Sequence, residues 1–320
     1  MTNQHSESNK STQLLAEKIA TVTVTYNPSI LGLVEQINTL PKQTIKVIVD
    51  NGSGPEDIKN IQRSISNFEN IHLIKSEKNI GLAAGINLGV NYLSQIDQCP
   101  ELVLLLDQDS VPEAESIKNL LIGYRELQDQ GHNVGCVGPL LIDPDTGLTH
   151  GFHQMTRFRW MRAYPKIGSL TPVPCANLNG SGTLVPVKLF QQLGGLDKML
   201  FIDHVDTEWA FRVIAHGYSL WGIPNAIFKH SMGEASTRFW FFGWRIWPVR
   251  SAWRHYYLFR NAAILFKRSY IPIVWKMWAI PKLLMTAVVM GVIGPRRKQQ
   301  LRNMWQGILE GLGDYERKNR

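Results

Sequence analysis

The stretch "LVLLLDQDSVP", Leu102 to Pro112, decides how the fold is read. Five apolar residues in a row make a strand buried on both faces, and it ends in two carboxylates, Asp107 and Asp109, one residue apart. Strands buried on both faces belong to sheets covered by helices on either side. Like charges that close repel, so the pair is of use only with something positive beyond it. A divalent cation carrying a diphosphate is one answer, and a solvated turn is the ordinary one.

Upstream, "KIATVTVTY" (Lys18–Tyr26), "TIKVIVD" (Thr44–Asp50) and "IHLIK" (Ile71–Lys75) are β-branched runs of strand length. Helical patterns lie between and after them, around Ile30–Leu40, Pro55–Phe68 and Gly81–Ile96. This alternation predicts an α/β fold on a parallel sheet. In such sheets ligands bind beyond the carboxyl ends of the strands. The polar residues gather at those ends: Asn27, then Asp50 to Ser53, then Asp107 and Asp109. Residues 140–182 are rich in Pro, Gly and aromatic residues and read as a long loop, bounded by short strands, that covers a site. Patterned chain resumes from Thr183 to about Ser231.

The 320 residues, 44% hydrophobic and 19% charged, have globular composition. Cys99, Cys136 and Cys175 form no CxxC pair, which speaks against a disulfide framework or zinc site and suits a reducing compartment. Residues 1–17 are polar and are expected to be a disordered leader on a cytoplasmic enzyme. The net charge of +8 is uneven: from Arg238 onward there are 16 Lys+Arg against 3 Asp+Glu, and seven of the ten Trp. Residues 238–320 are therefore expected to form a basic, helical, membrane-associating region beside a catalytic domain spanning 18–237. Within it, Ile271–Lys298 is apolar but carries Trp and Lys276 besides Pro272 and Pro281. Trp and Lys inside it favour a helix lying at the membrane interface over a spanning one, with an ordinary helical core or dimer contact as the other alternative. No nucleic-acid motif accompanies the charge, so no nucleic-acid partner is expected.

Four further motifs carry chemistry. "VDNGSG" (Val49–Gly54) could bond a base or ribose, or be an ordinary Asp-Asn-Gly turn. "KNIGLAAGINLG" (Lys78–Gly89) has small residues for close packing, with Asn79 as a candidate helix cap. "LFIDHVDTEWAFR" (Leu200–Arg212) crowds Asp203, Asp206 and Glu208 at a helix start, where a general base or simple dipole compensation would each explain them. "FKHSMGEAS" (Phe228–Ser236) offers His230, a structural residue or a ligand.

Taken in order, "VTYNP", "VDNGSG", "NIGLAAGIN", "LLLDQDS", "GSGTLVP", "LGGLDKMLFIDHVDTEWAFR" and "KHSMG" resemble the family 2 glycosyltransferases, nucleotide-sugar enzymes of GT-A fold, over about Ala20 to Ser236. "FIDHVDTEW" and "QDS" look most like bacterial rhamnosyltransferases that use dTDP-L-rhamnose. The resemblance implies that Asp50, Tyr26 and Asn27 line the nucleotide pocket, and that Asn79 and Gly81 border ribose and sugar. It implies that Asp109 ligates Mg²⁺ or Mn²⁺, with Asp107 near the ribose or sugar or also on the metal, and His230 as a further ligand. Gly180 to Gly182 and Gly194 to Asp197 would shape the acceptor side, with Gly182 and Asp197 as site residues, and Arg254 and Arg260 suit a pyrophosphate. The family commonly has Glu-Asp where this chain has Asp203-His204. Asp203 is therefore the first choice for base, Asp206 the second and His204 the third. The implied reaction is inverting, metal-dependent transfer of L-rhamnose to a lipid-diphosphate-linked glycan, at the inner face of the cell membrane. A homo-oligomer is compatible with it. The alternatives are a UDP-hexose or UDP-galactofuranose donor, or a non-catalytic sugar-nucleotide-binding scaffold.

Overall fold

The computed structural model describes residues 19–230, 236–240, 244–248 and 250–313. The expected leader, residues 1–17, lies outside the described residues.

The first half alternates as the sequence predicts: β1 (Ile19–Thr25), α1 (Ile30–Thr39), β2 (Ile45–Asp50), α2 (Pro55–Ile65), β3 (Ile71–Lys75), α3 (Leu82–Leu93) and β4 (Leu102–Asp107). The β1, β2 and β4 strands are buried almost throughout, and all neighbours among the four strands β1 to β4 run parallel. Val24 lies opposite Asp107 and Thr25 opposite Asp50, so both acids emerge at one sheet edge. Helix α3 crosses β1 closely because Gly85 and Gly89 meet Val24 and Val22. A Cβ there would come within 2.9 and 2.5 Å of valine methyls.

The second half comprises β5 (Ser110–Pro112), α4 (Ser116–Asp129), β6 (Val134–Ile142), β7 (Phe152–Met155), β8 (Trp160–Ala163), β9 (Val173–Cys175), β10 (Thr183–Pro186), α5 (Val187–Gln192), α6 (Val205–Ala215) and β11 (Ser219–His230). The sheet order is β3-β2-β1-β4-β10-β6-β11-β5, with β9 also on β11. Beyond this parallel half the sheet is mixed. Strand β10 enters antiparallel between β4 and β6, and β5 pairs antiparallel with the end of β11. Residues 140–182 are more ordered than a covering loop, since β7 and β8 form a two-stranded hairpin. Two apolar clusters, one on each face of the sheet, form the core.

The strands β12 (Ser236–Trp240) and β13 (Trp244–Pro248) pair with each other. Three helices follow: α7 (Ala252–Lys267), α8 (Ile273–Val292) and α9 (Arg297–Leu312). Helices α7 and α9 touch through Gly307 and Gly311, where an added Cβ would fall 2.4 Å from backbone oxygens of α7. The result is a mixed α/β sheet domain with a helical C-terminal region.

Candidate active site

The site is assembled at the carboxyl edge of the sheet. Strand β4 delivers Asp107, and the turn to β5 carries Asp109. Because β5 pairs with the end of β11, His230 stands opposite Ser110 although 120 residues separate them. The imidazole Nδ1 lies 3.4 Å from an Asp109 oxygen. Single donor atoms of Asp107, Asp109 and His230 all fall within 4.8 Å of one another. Ser181 Oγ donates to Asp107 Oδ2.

Electrostatics sharpen this picture. Burial, reinforced by Asp109, raises the Asp107 carboxyl above its ordinary range, against the pull of His230 and Ser181. At Asp109 burial acts upward too, but His230 outweighs it and the carboxyl lies below its ordinary range. His230 in turn is lifted: burial opposes the imidazolium, and the two aspartates prevail.

Gln36, buried in α1, fixes the loop between the acids. Its Nε2 donates to the carbonyls of Asp107 (2.7 Å) and Ser110 (2.6 Å), and its Oε1 accepts from Thr23. Beside it, the Tyr26 N–H donates to Gln108 Oε1 at 2.8 Å, and Tyr26 itself is exposed. Asn27 (φ +45°) donates its N–H to Ser53 Oγ, and Ser53 N–H donates to Asp50 Oδ2 at 3.1 Å. Asp50 is fully buried.

Asn79 is not a helix cap. Its Oδ1 accepts from Asn51 Nδ2 (3.1 Å) and from the Gly81 N–H (3.0 Å), while Gly81 occupies the capping position at φ +90°. A side chain at Gly81 would strike Phe201, whose carbonyl accepts from the Leu82 N–H. Gly182 (φ +81°) donates its N–H to Leu105 O and so sits directly against β4.

Phe201, Asp203 and His204 all have positive φ, a costly conformation for residues with side chains. Asn261 of α7 holds this loop, its Nδ2 lying 2.7 to 2.9 Å from the carbonyls of Leu200, Ile202 and Asp203. Arg250 Nη1 (2.6 Å) and Arg254 Nη2 (3.0 Å) both donate to Asp203 Oδ1. Burial pushes the Asp203 carboxyl upward, but the two guanidinium groups overcome it and hold the group below its ordinary range. Asp206 is the opposite case. Burial, with the charges of Asp107 and Asp203 adding to it, raises its carboxyl to about 6 despite the N–H of Thr207.

Four further expected site residues have protein partners of their own. Arg254 is engaged with Asp203. Arg260 is buried, donating to the Met199 carbonyl beneath the loop. Asp197 caps a single turn at Met199 and pairs with Arg268. His204 is edge-on to Trp275, with burial lowering its imidazole to about 4, which keeps it neutral and packed. Sequence reading missed Gln36 and Asn261, and had Ser181 within the Gly180–Gly182 turn on the acceptor side, without its bond to Asp107.

Residues 20–194 match the model of glycosyl transferase family 2. The chain belongs to glycosyl transferase family 2. It is a glycosyltransferase, and its sheet and helices have the GT-A architecture. A curated relative is the dTDP-rhamnosyl transferase RfbF of Shigella flexneri, 28% identical over 92% of this chain and 94% of the relative. An N-acetylglucosaminyl-diphospho-decaprenol L-rhamnosyltransferase of Mycobacterium tuberculosis is 23% identical over 70% of this chain and 79% of its own. Among solved structures, GalNAc-T7 with UDP, GalNAc and Mn²⁺ superposes with a TM-score of 0.58 at 15% identity, covering 94% of this chain and 57% of that one. The chain thus spans little more than half of that protein. The mannosyltransferase PcManGT of Pyrobaculum calidifontis, solved with GDP-Man and Mn²⁺, gives 0.54 at 15% identity over 93% and 88% of the two chains. At such identity these two report the fold.

Proposed function

We propose that this family 2 enzyme transfers L-rhamnose from dTDP-L-rhamnose, with inversion, to a hydroxyl of a lipid-diphosphate-linked glycan at the cytoplasmic face of the membrane. The observation that carries this reading is the cluster of Asp107, Asp109 and His230 at the sheet edge, with Asp206 at the start of α6 close enough to feel the charge of Asp107. The donor assignment draws on the rhamnosyltransferases among the relatives, and the lipid-linked acceptor on the decaprenol-linked substrate named for one of them.

Two carboxylates and an imidazole nitrogen, with donor atoms mutually within 4.8 Å, are a set that suits Mg²⁺ or Mn²⁺. Asp109, Asp107 and His230 would hold the ion, which when bound neutralises negative charge on the leaving diphosphate. Asp50, with Ser53, Tyr26 and Asn27 around it, would receive the base. Asn79 and Gly81 would border ribose and sugar, and Gly182 the acceptor side.

Asp206 moves ahead of Asp203 as the general base. A carboxylate held by two arginines has little affinity for a proton, whereas one raised to about 6 accepts a proton near neutral pH. Asp206 would take the proton of the acceptor hydroxyl as its oxygen attacks the anomeric carbon from the face opposite the diphosphate. Asp203 would hold the loop in place through Arg250 and Arg254. We assign residues 18–237 to catalysis and the basic region from 238 to the membrane and acceptor side.

Calorimetric titration with dTDP-rhamnose, UDP-sugars and GDP-sugars, each with and without Mn²⁺, tests the reading. Selective, metal-dependent binding of dTDP-rhamnose is expected. Selectivity for a UDP-sugar would overturn the donor, and binding of no nucleotide would overturn the reading altogether.

A further inference from the structure

Helix α8 has two opposed faces. Trp275, Ala279, Thr286 and Met290 are buried, and Ile273, Met277, Ile280, Leu284, Val288 and Val292 are exposed. The exposed set recurs every three or four residues, an apolar stripe down one side of the helix. Apolar stripes of this length on a protein surface mark an interaction site. By length and composition alone α8 could cross a membrane, but its opposite face is packed on the protein.

The β7–β8 hairpin repeats the same chemistry. At its tip Phe158 is 81% exposed, flanked by exposed Arg157 and Arg159. Met161 on β8 is exposed too, as are Tyr164, Ile167 and Leu170 in the loop beyond. The two elements are joined: Trp160 of β8 lies 5.9 Å from Trp278 of α8 and 5.9 Å from Phe211 of α6, the helix that carries Asp206. His153 of β7 stacks on the same Trp160 at 5.0 Å.

Charge decides between occupants. No Asp or Glu occurs between Asp145 and Asp197, a span that contains Arg157, Arg159, Arg162, Lys166 and Lys188. None occurs from Ala235 to Leu309 either, while exposed Arg296, Arg297 and Lys298 follow α8. A second copy of so uniformly basic a surface would be repelled, whereas anionic headgroups would be drawn to it.

We propose that the hairpin tip and the outer stripe of α8 form one docking surface for an anionic lipid bilayer. Phe158 and the α8 stripe enter the headgroup layer, and the arginines and lysines pair with lipid phosphates. This deepens the reading above and rests on its membrane-borne acceptor. Because Trp160 backs both the docking surface and α6, the bilayer lies beside the catalytic helix, where a lipid-linked sugar would arrive.

Flotation of the full chain with phosphatidylcholine vesicles, with and without phosphatidylglycerol, tests it. Binding is expected only to the anionic vesicles and should weaken with added salt. Arg157→Gln with Arg159→Gln should reduce it roughly 30-fold, and Phe158→Ser roughly tenfold. Met277→Asp with Leu284→Asp should abolish it. Calorimetric dTDP-rhamnose binding, measured on each variant, should be unchanged and reports a folded protein. Vesicle binding that is absent, or equal across the variants, would overturn the proposal. So would loss of a dimer on size-exclusion chromatography in the Met277→Asp, Leu284→Asp variant with vesicle binding intact. If the chain floats as expected but binds no nucleotide, the proposed dTDP-rhamnose reading fails and the docking surface stands.

Discussion

On the sheet edge, Asp50, Asp107 and Asp109 are met by hydroxyls, an amide and one imidazole. On the helical wall beside it, Asp197 pairs with Arg268, Asp203 with Arg250 and Arg254, and Glu208 with Arg212 and Arg268. Both regions are rich in acids; the wall pairs each of its own with arginine, whereas the edge sets one imidazole against both Asp107 and Asp109. A buried ion pair complete within the protein serves position, since its charges are spent on each other. Acids left short of positive charge are available to a cation, a proton or a substrate. Asp206 is three residues from Asp203 in sequence, yet electrostatically it belongs with the sheet edge.

The comparison can be broken at either end. The largest effect is expected at the edge: Asp109→Ala should remove the Mn²⁺ dependence of nucleotide binding and lower turnover by about 10³, the scale of losing several kcal/mol of charge stabilisation. Calorimetry and a rate assay check both. On the wall, Asp203→Asn should take from Arg250 and Arg254 the buried carboxylate they share and reduce stability by about 3–5 kcal/mol, read from chemical denaturation. Metal-dependent donor binding should persist in this variant at temperatures where it remains folded.

Acid should find the histidines behind the hairpin and loop. Burial lowers His150 and His204 to about 4 and His153 to about 3, assisted by nearby cations. Their unfolded counterparts gain a proton below about 6.5, while the folded groups stay neutral. Stability should therefore fall as pH drops from about 6.5 towards 4, by roughly 1.4 kcal/mol per pH unit for each group. Denaturation midpoints across that window test it, and His204→Asn should flatten the slope.

The smallest effect is a gain. The folded Asp206 carboxyl holds its proton up to about 6, well above its unfolded value. Ionising it within the fold thus costs stability as pH rises through that range. Above pH 6, Asp206→Asn should be more stable than the parent by about 1–2 kcal/mol. An equal or lower denaturation midpoint would mean that Asp206 is neutralised by something else.

How much of this was legible in the sequence follows contact range. The β-branched runs of β1, β2 and β4 and the acids at their ends are local patterns, and the parallel half of the fold could be read from them. The antiparallel entry of β10 and the pairing of β5 with β11 join segments far apart in the chain, so nothing local announced the Asp109–His230 contact. The arginine clamp on Asp203 spans about fifty residues, and without it Asp203 and Asp206 could be ranked only by position. Arg260 had the right chemistry for a pyrophosphate, but its burial beneath Met199 is a property of helix packing alone.

The most direct test is the rate of a single turnover with saturating dTDP-rhamnose in Asp206→Asn and Asp203→Asn, alongside donor affinity for each. The account predicts that Asp206→Asn lowers the rate by roughly 10²–10⁴ with donor affinity unchanged. It also predicts that Asp203→Asn, once folded, keeps most of its rate. A normal rate in Asp206→Asn together with a collapsed rate in folded Asp203→Asn would contradict it, and would return the role of base to the carboxylate between the two arginines.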